Sequence, residues 1–239
     1  MSWGSGPRRA LLIHGASSSA EVWWRLGPGV AGLGFTVTAP DLRGHGASPR
    51  DDDWSLSAYR DDVLELGTGW DLVLGHSLGG LLAVAAQIAD ATFTRALVLE
   101  DPALRFAVTP EFQQWLEQEF GQPITEERMA ASKPDWDMRD VAAKVRSLHA
   151  VGRHAIRQTF ESFGDTDAWP ALHDVGVPTL VIGADPANDA MVTGADIDAA
   201  AAIPGVEAFA IAGSSHSIHR DSYDEFWQAV QTFATAHAS

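Results

Sequence analysis

The stretch LVLGHSLGGLLAVAA, residues 72–86, places a serine between glycines at the junction of two apolar segments. The first segment is typical of a buried strand, and the Ala- and Leu-rich segment from Leu78 onward is typical of a helix. A strand-to-helix reversal this tight forces an unfavourable backbone conformation on Ser77, and Gly75 and Gly79 leave room for it. The turn holds the hydroxyl at the carboxyl edge of a sheet, where the helix N-terminus favours an anion. The pattern therefore predicts an exposed nucleophile.

A phosphate-binding loop is disfavoured because neither a nearby Lys nor the G-x-G-x-x-G spacing is present.

Short apolar runs recur along the chain and are nearly continuous rather than alternating. This pattern is typical of strands that are covered on both faces, as in a parallel sheet. Segments of helical character lie between most of the runs, so we expect a doubly wound α/β domain. The runs are ALLIHG from Ala10, FTVTAPD from Phe35, DLVLGHS from Asp71, ALVLEDP from Ala96, TLVIGAD from Thr179 and EAFAIAG from Glu207.

The alternation of strands and helices is interrupted once, in residues 103–169, where no convincing strand is found. TPEFQQWLEQEF starts with Thr109 as a helix cap and Pro110 at the first helical position. We expect residues 1–102 and 170–239 to form the core and residues 103–169 to form a helical cap inserted between two strands.

Charge and composition narrow the classes of partner. The chain has 239 residues, with 16 basic and 32 acidic residues and a formal charge of −16. A field of this sign disfavours nucleic acid and anionic membranes, and it favours solubility more than it selects a substrate. The absence of cysteine excludes disulfides, and the N-terminus lacks the apolar run of a signal peptide, so we expect a cytoplasmic protein. The histidines and acids lack metal-ligand spacing, so neither a metal nor a cofactor is predicted.

Four segments together resemble the alpha/beta-hydrolase fold family. They are GHSLGG, LLIHGASSSAEVWW, PDLRGHGAS and IAGSSHSIHRDSYDEFWQAV, and they span the chain from about residue 9 to residue 233. The resemblance implies a mostly parallel sheet flanked by helices. Only MSWGSGPR precedes the strand that resembles the third strand of the family, which implies a trimmed sheet of about six strands in the order 4-3-5-6-7-8 of the family's counting.

A serine hydroxyl needs a base, and the base needs a carboxylate to orient it. The resemblance places the base at His216, in a loop after an apolar run. His219 is the competing histidine, interpreted as a supporting or surface residue. Asp101, at the end of LVLED, is favoured as the carboxylate. Asp189 is the alternative, since it matches the commoner placement in the family, and Asp185 lies in the same loop.

The resemblance also implies an oxyanion hole made by the backbone N–H groups of Ala16 and Leu78. Candidate pocket residues near these segments are His14, Trp23, Trp24 and His76. Aromatic residues in the cap suggest an apolar pocket, although packing between amphipathic helices would look the same. These are Phe106, Trp115, Phe120, Trp136 and Phe160.

These features predict a cofactor-free serine hydrolase that cleaves a carboxylic ester or lactone through an acyl-enzyme. The same residues would suit a C–C bond hydrolase or a perhydrolase, and a non-catalytic ligand-binding member of the fold can retain them. The substrate is expected to be a small, apolar molecule. The sequence names neither this substrate nor an oligomeric state.

Overall fold

The computed structural model describes residues 1–238, and its central element is a sheet of seven strands in the order β1-β3-β2-β4-β5-β8-β9. All neighbours in this sheet are parallel except β1, which pairs antiparallel with β3. Two further strands, β6 and β7, form a separate antiparallel pair. The strands are β1 (Ser2–Trp3), β2 (Arg8–Ile13), β3 (Phe35–Thr38), β4 (Leu72–His76), β5 (Leu97–Glu100), β6 (Arg105–Phe106), β7 (Thr166–Asp167), β8 (Thr179–Gly183) and β9 (Val206–Ala210).

Nine α-helices accompany these strands within residues 1–238. They are α1 (Leu26–Gly32), α2 (Leu56–Glu65), α3 (Leu78–Ala89), α4 (Pro110–Phe120), α5 (Glu126–Ser132), α6 (Met138–Phe163), α7 (Gly194–Ala201), α8 (Ile218–Asp221) and α9 (Tyr223–His237). None of these helices is both long enough and apolar enough to cross a membrane.

The six strands predicted from the sequence are all present, and their spatial order β3-β2-β4-β5-β8-β9 is the one expected. The seventh strand, β1, was not predicted. It is only two residues long and therefore carries no periodic signal. Its pairing depends on distant contacts, including a hydrogen bond from the Met1 amino group to the Ala39 carbonyl.

The continuous apolar runs arise because the sheet has a hydrophobic core on each face. In β2, Ala10 and Leu12 join one core, and Leu11 and Ile13 join the other. All four side chains are fully buried. Burial of an aliphatic side chain contributes about 1.5–3 kcal/mol to the stability of the fold. A strand that faces two cores therefore has apolar residues at consecutive positions.

Between β5 and β8 the chain forms the helices α4, α5 and α6. The α4 helix starts as predicted, since the Thr109 side chain accepts a hydrogen bond from the Phe112 N–H and Pro110 lies in the first turn. The short strands β6 and β7, which were not predicted, pair the two ends of the insertion. An apolar cluster of its own joins α4 to α6, which is kinked at Gly152 (φ 70°).

Candidate active site

The turn between β4 and α3 has the strained geometry that its sequence indicated. Ser77 has φ 52° and ψ −117°, a conformation that non-glycine residues rarely adopt. A Cβ atom on Gly75 would lie 2.4 Å from the Gly79 carbonyl oxygen, and one on Gly79 would lie 2.2 Å from the Ile13 carbonyl oxygen. Both glycines are therefore required by close backbone approach. The Ser77 N–H donates to the Glu100 carbonyl at 3.0 Å, which fixes the turn against β5.

His216 and Asp101 lie in direct contact although 115 residues separate them. Nδ1 of His216 is 2.5 Å from Oδ2 of Asp101, a short hydrogen bond between the imidazole and the carboxylate. The Asp101 side chain is fully buried, whereas the His216 side chain is 29 % exposed. A buried carboxylate thus orients an imidazole whose other edge is open to the cavity described below.

Three backbone N–H groups hold the Asp101 carboxylate in place. Oδ1 accepts from the N–H groups of Ala184 and Val192, each at 3.2 Å, and Oδ2 accepts from the Met191 N–H at 2.9 Å. Asp101 itself has a φ of 35°, so its backbone is strained at the end of β5. Such strain persists only where the surroundings determine it, and it is common at active sites.

The alternative acids lie in the loop that follows β8, where Asp185 is half-buried and Asp189 is exposed. Asp189 has a φ of 63° and lines the cavity. The Asp185 carboxylate accepts hydrogen bonds from the N–H groups of Ala187 and Gly213. These two hydrogen bonds lower the pKa of Asp185. Neither carboxylate is bonded to His216, while Met191 and Val192 of the same loop hold Asp101 through their backbone.

Ser77 and His216 both line a cavity of about 500 Å³ between the sheet edge and the helical insertion. Pockets for small molecules commonly have 300–1,000 Å³, so this volume suits an organic ligand. Ser77 is 7 % exposed, which leaves its side chain at the cavity wall. His76, next to it, places Nε2 2.8 Å from the His216 carbonyl oxygen, so it supports the loop that carries His216.

The two predicted oxyanion donors are the backbone N–H groups of Leu78 and Ala16. Leu78 is the first residue of α3, and Ala16 lines the cavity in the loop after β2. Neither backbone N–H donates to a protein acceptor within residues 1–238. The loop with Ala16 is tied to the insertion, because Nζ of Lys144 donates to Oγ of Ser17 at 2.7 Å. No pattern in the sequence indicates this contact.

Three of the four candidate pocket residues do not line the cavity. Trp23 is fully buried in the core below the sheet edge, with its ring 4.9 Å from that of His219. Trp24 instead donates from Nε1 to the Asp140 carboxylate at 3.0 Å. His14 is fully buried and bonded to backbone groups, so only His76 among the four lies at the cavity. Of the predicted cap aromatics, all except Phe120 line it.

His219 is not a surface residue. Its Nδ1 lies 2.7 Å from Oε1 of Glu100, and its backbone N–H donates to the same oxygen at 2.8 Å. Burial raises the pKa of Glu100, and burial beside Arg220 lowers the pKa of His219 to about 3. His219 is thus a supporting group behind the candidate site, and it is bonded to Glu100, which no sequence motif singles out. Glu100 is the last residue of β5 and directly precedes the candidate acid Asp101, so no separate sequence pattern marks it.

His76, Glu100 and His219 form the one group within residues 1–238 whose side chains could together approach a metal ion. Atoms of His76, Glu100 and His219 lie within 4.8 Å of one another, and all three residues are buried. The hydrogen bonds of Glu100 to His219 and of His76 to the His216 carbonyl already use one atom of each residue. This arrangement suits a hydrogen-bonded support for His216 better than an open coordination site.

His14 and His45 are held neutral by burial, which has a consequence for stability. Nε2 of His14 accepts from the Leu42 N–H at 3.0 Å, so Nδ1 carries the proton and donates to the Gly15 carbonyl at 2.8 Å. Burial lowers the pKa of His14 to about 4 and that of His45 to about 3. Histidines in unfolded chains titrate near pH 6.5. As the pH falls below 6.5, the unfolded state therefore binds protons that the folded state excludes, and stability is lost.

We expect the free energy of unfolding to fall on acidification from pH 6 to pH 4.5, by about 1.4 kcal/mol per pH unit for each such histidine. His45→Gln should reduce this slope by about 1.4 kcal/mol per pH unit, which corresponds to one proton fewer bound on unfolding. The slope is measured by urea unfolding at a series of pH values. The matched control is His154→Gln, since His154 is exposed and contacts water in both states. An unchanged slope in His45→Gln would show that His45 is protonated in the folded protein.

Residues 10–229 match the model of the alpha/beta hydrolase family, so the chain belongs to this family. The match covers the parallel strands from Ala10 of β2 onward, the insertion and all the candidate site residues.

Curated and solved relatives agree on the hydrolase class. Pimeloyl-[acyl-carrier protein] methyl ester esterase of Edwardsiella ictaluri is 26 % identical over 192 residues, or 74 % of each chain. Lipase LipV of Mycobacterium tuberculosis is 38 % identical over 104 residues, which are 42 % of this chain and 39 % of that protein. The solved structure of N-formylmaleamic acid deformylase from Pseudomonas putida S16 superposes with a TM-score of 0.80 at 25 % identity, covering 97 % of this chain and 94 % of the other. The chain is therefore an enzyme of the hydrolase type.

Proposed function

We propose that the protein is a serine hydrolase that cleaves a carboxylic ester or lactone, with Ser77, His216 and Asp101 as its catalytic triad. The observation that carries this proposal is the 2.5 Å contact between Nδ1 of His216 and Oδ2 of the buried Asp101. This contact supports His216 as a general base, because Asp101 would hold the imidazole in one tautomer. His216 lies at the edge of the cavity that Ser77 also lines. The esterase and lipase named among the relatives support the ester as substrate class.

In the proposed reaction, Nε2 of His216 takes the proton of the Ser77 hydroxyl while the oxygen attacks the substrate carbonyl. The buried Asp101 carboxylate stabilises the imidazolium that forms. The N–H groups of Ala16 and Leu78 donate to the oxyanion, aided by the positive end of the α3 dipole. The imidazolium then protonates the leaving alcohol, and a water molecule activated by His216 hydrolyses the acyl-enzyme.

Residues 103–169 act in this proposal as a cap that covers the site. The α4, α5 and α6 helices contribute much of the cavity wall, including Phe112, Trp115 and Phe160. Lys144 of α6 contacts the loop that carries the oxyanion donor Ala16. The cap would thus exclude water from the reacting atoms and determine which substrates enter.

A fluorophosphonate probe tests the proposal, because it reacts only with an activated serine. We expect one label per chain, located on Ser77 by peptide mass mapping, and loss of the labelling in His216→Ala. The labelling experiment is combined with a measurement of steady-state turnover of 4-nitrophenyl esters of graded acyl length. Labelling without turnover of any ester would favour the ligand-binding member of the fold, and a label on another serine would refute Ser77 as nucleophile.

A further inference from the structure

The charge of the cavity wall is opposite to that of the whole protein. The chain carries 16 basic and 32 acidic residues, yet the wall contains five of the basic residues and only three of the acidic ones. The basic residues are Arg105, Arg128, Lys133, Lys144 and Arg220. A local excess of positive charge in a strongly acidic protein is a feature that binds anions.

Most of these cations are engaged by groups of the protein. Arg105 forms ion pairs with Asp167 and Asp196, and Lys144 lies 3.3 Å from Oε2 of Glu119. Arg128 donates to backbone carbonyl groups, including that of Gln118 at 2.6 Å. These side chains have structural partners, and they do not by themselves define a ligand site.

Arg220 differs because it is buried and makes only long polar contacts. The residue is 8 % exposed, and its guanidinium lies over the Trp136 ring at 4.5 Å. Its hydrogen bond to Oγ of Ser217 is long, at 3.5 Å, and its Nε has no hydrogen-bond partner within residues 1–238. The nearest carboxylate oxygen, Oδ1 of Asp140, lies 3.8 Å from Nε. A guanidinium has five N–H donors, so most of its hydrogen-bonding capacity is unused.

The acids around Arg220 already bind other donors. Asp140 accepts from Nε1 of Trp24 at 3.0 Å. Oδ1 of Asp221 accepts from Nε1 of Trp136 at 2.6 Å, and its Oδ2 accepts from the Ser215 N–H at 2.8 Å. Glu100 accepts from His219. These carboxylates offset the charge of the buried Arg220, whose N–H groups make one hydrogen bond within residues 1–238, the long one to Ser217.

From this arrangement we infer that Arg220 forms an anion subsite, and that the substrate is an ester or lactone carrying a second group that is an ionised carboxylate. Arg220 lies four residues after His216, and both line the same cavity. An Arg fork binds a carboxylate through two parallel hydrogen bonds, which fixes the orientation of the ligand as well as its charge. The aromatic walls then receive the chain between the carboxylate and the scissile carbonyl. This inference rests on the proposed hydrolase function and narrows its substrate class.

The test compares two esters of equal acyl length, mono-4-nitrophenyl adipate and the neutral 4-nitrophenyl hexanoate. We expect kcat/KM of the natural protein to be about tenfold to a hundredfold higher for the acidic ester, the range given by charge-assisted hydrogen bonds. Arg220→Gln should bring the ratio of the two kcat/KM values close to one, and Arg220→Lys should retain part of it. Arg153→Gln is the matched control, since Arg153 has an exposed side chain on α6 and is paired with Glu117 outside the cavity.

A second measurement does not depend on catalysis. Calorimetric titration of Ser77→Ala with adipate and with the neutral adipamide should show binding of adipate only, and Arg220→Gln in the same background should abolish it. A ratio of one or less in the natural protein, or a ratio that Arg220→Gln leaves unchanged, would overturn the inference. If neither ester is hydrolysed, the proposed hydrolysis fails. The adipate titration then decides the subsite by itself, and absence of binding would overturn it too.

Discussion

Ser77→Ala should abolish hydrolysis while leaving the fold intact. The substitution removes the attacking oxygen, and a triad that acts as a unit loses on the order of 10⁴-fold or more in kcat when its nucleophile is removed. Alanine can occupy the same backbone conformation as serine, so the strained turn at φ 52° is kept. The comparison needs kcat of both proteins with one chromogenic ester, together with urea unfolding to confirm an unchanged midpoint.

The matched control is Ser57→Ala, which removes an exposed hydroxyl in the first turn of α2. Its activity should equal that of the natural protein. Activity of Ser77→Ala within tenfold of the natural protein would refute Ser77 as the nucleophile, whatever the fluorophosphonate probe labels.

The sheet was predictable because burial on both faces leaves a direct mark in the sequence. The inner strands β2, β4, β5 and β8 coincide with nearly continuous apolar runs and are buried at most positions. The outer strands follow this rule less closely, since β3 alternates between buried and half-buried positions and β9 has no buried position. Strand β1 and the pair β6–β7 escaped prediction because two-residue strands have no period, and their pairing is set by distant parts of the chain.

The site was predictable only where chemistry imposes a local pattern. The close contacts at Gly75 and Gly79 explain why the turn around Ser77 is visible in the sequence. Support from distant segments is not visible. The backbone N–H groups that hold Asp101 come from Met191 and Val192, and any residue type except proline could supply them.

The contacts around the site could not be predicted where they join residues that are distant in the sequence. The contact of His219 with Glu100 spans 119 residues. Trp23 and Trp24 follow the loop after β2 closely, yet the first packs into the core and the second turns to Asp140. Proximity in sequence to a catalytic loop therefore does not predict which side chains reach the cavity.

The second large expected loss of activity concerns the acid of the proposed triad, which is either Asp101 or Asp189. In Asp101→Asn, the amide oxygen must take the Oδ1 position, because Ala184 and Val192 both donate there. The NH₂ group then occupies the Oδ2 position, where it opposes the Met191 N–H and donates to Nδ1 of His216. His216 would carry its proton on Nε2 and could no longer accept the proton of Ser77.

We therefore expect Asp101→Asn to lose about 10⁴-fold in kcat, the cost of the same replacement in a serine protease. Asp189→Asn should stay within tenfold of the natural protein, because Asp189 is exposed and Asn tolerates its positive φ of 63°. Both variants should be assayed with the same chromogenic ester, with circular dichroism as the check on folding. A large loss in Asp189→Asn alone would assign the acid to Asp189. A large loss in both would mean that the Asp189 side chain is needed to keep Met191 and Val192 in the positions that hold Asp101.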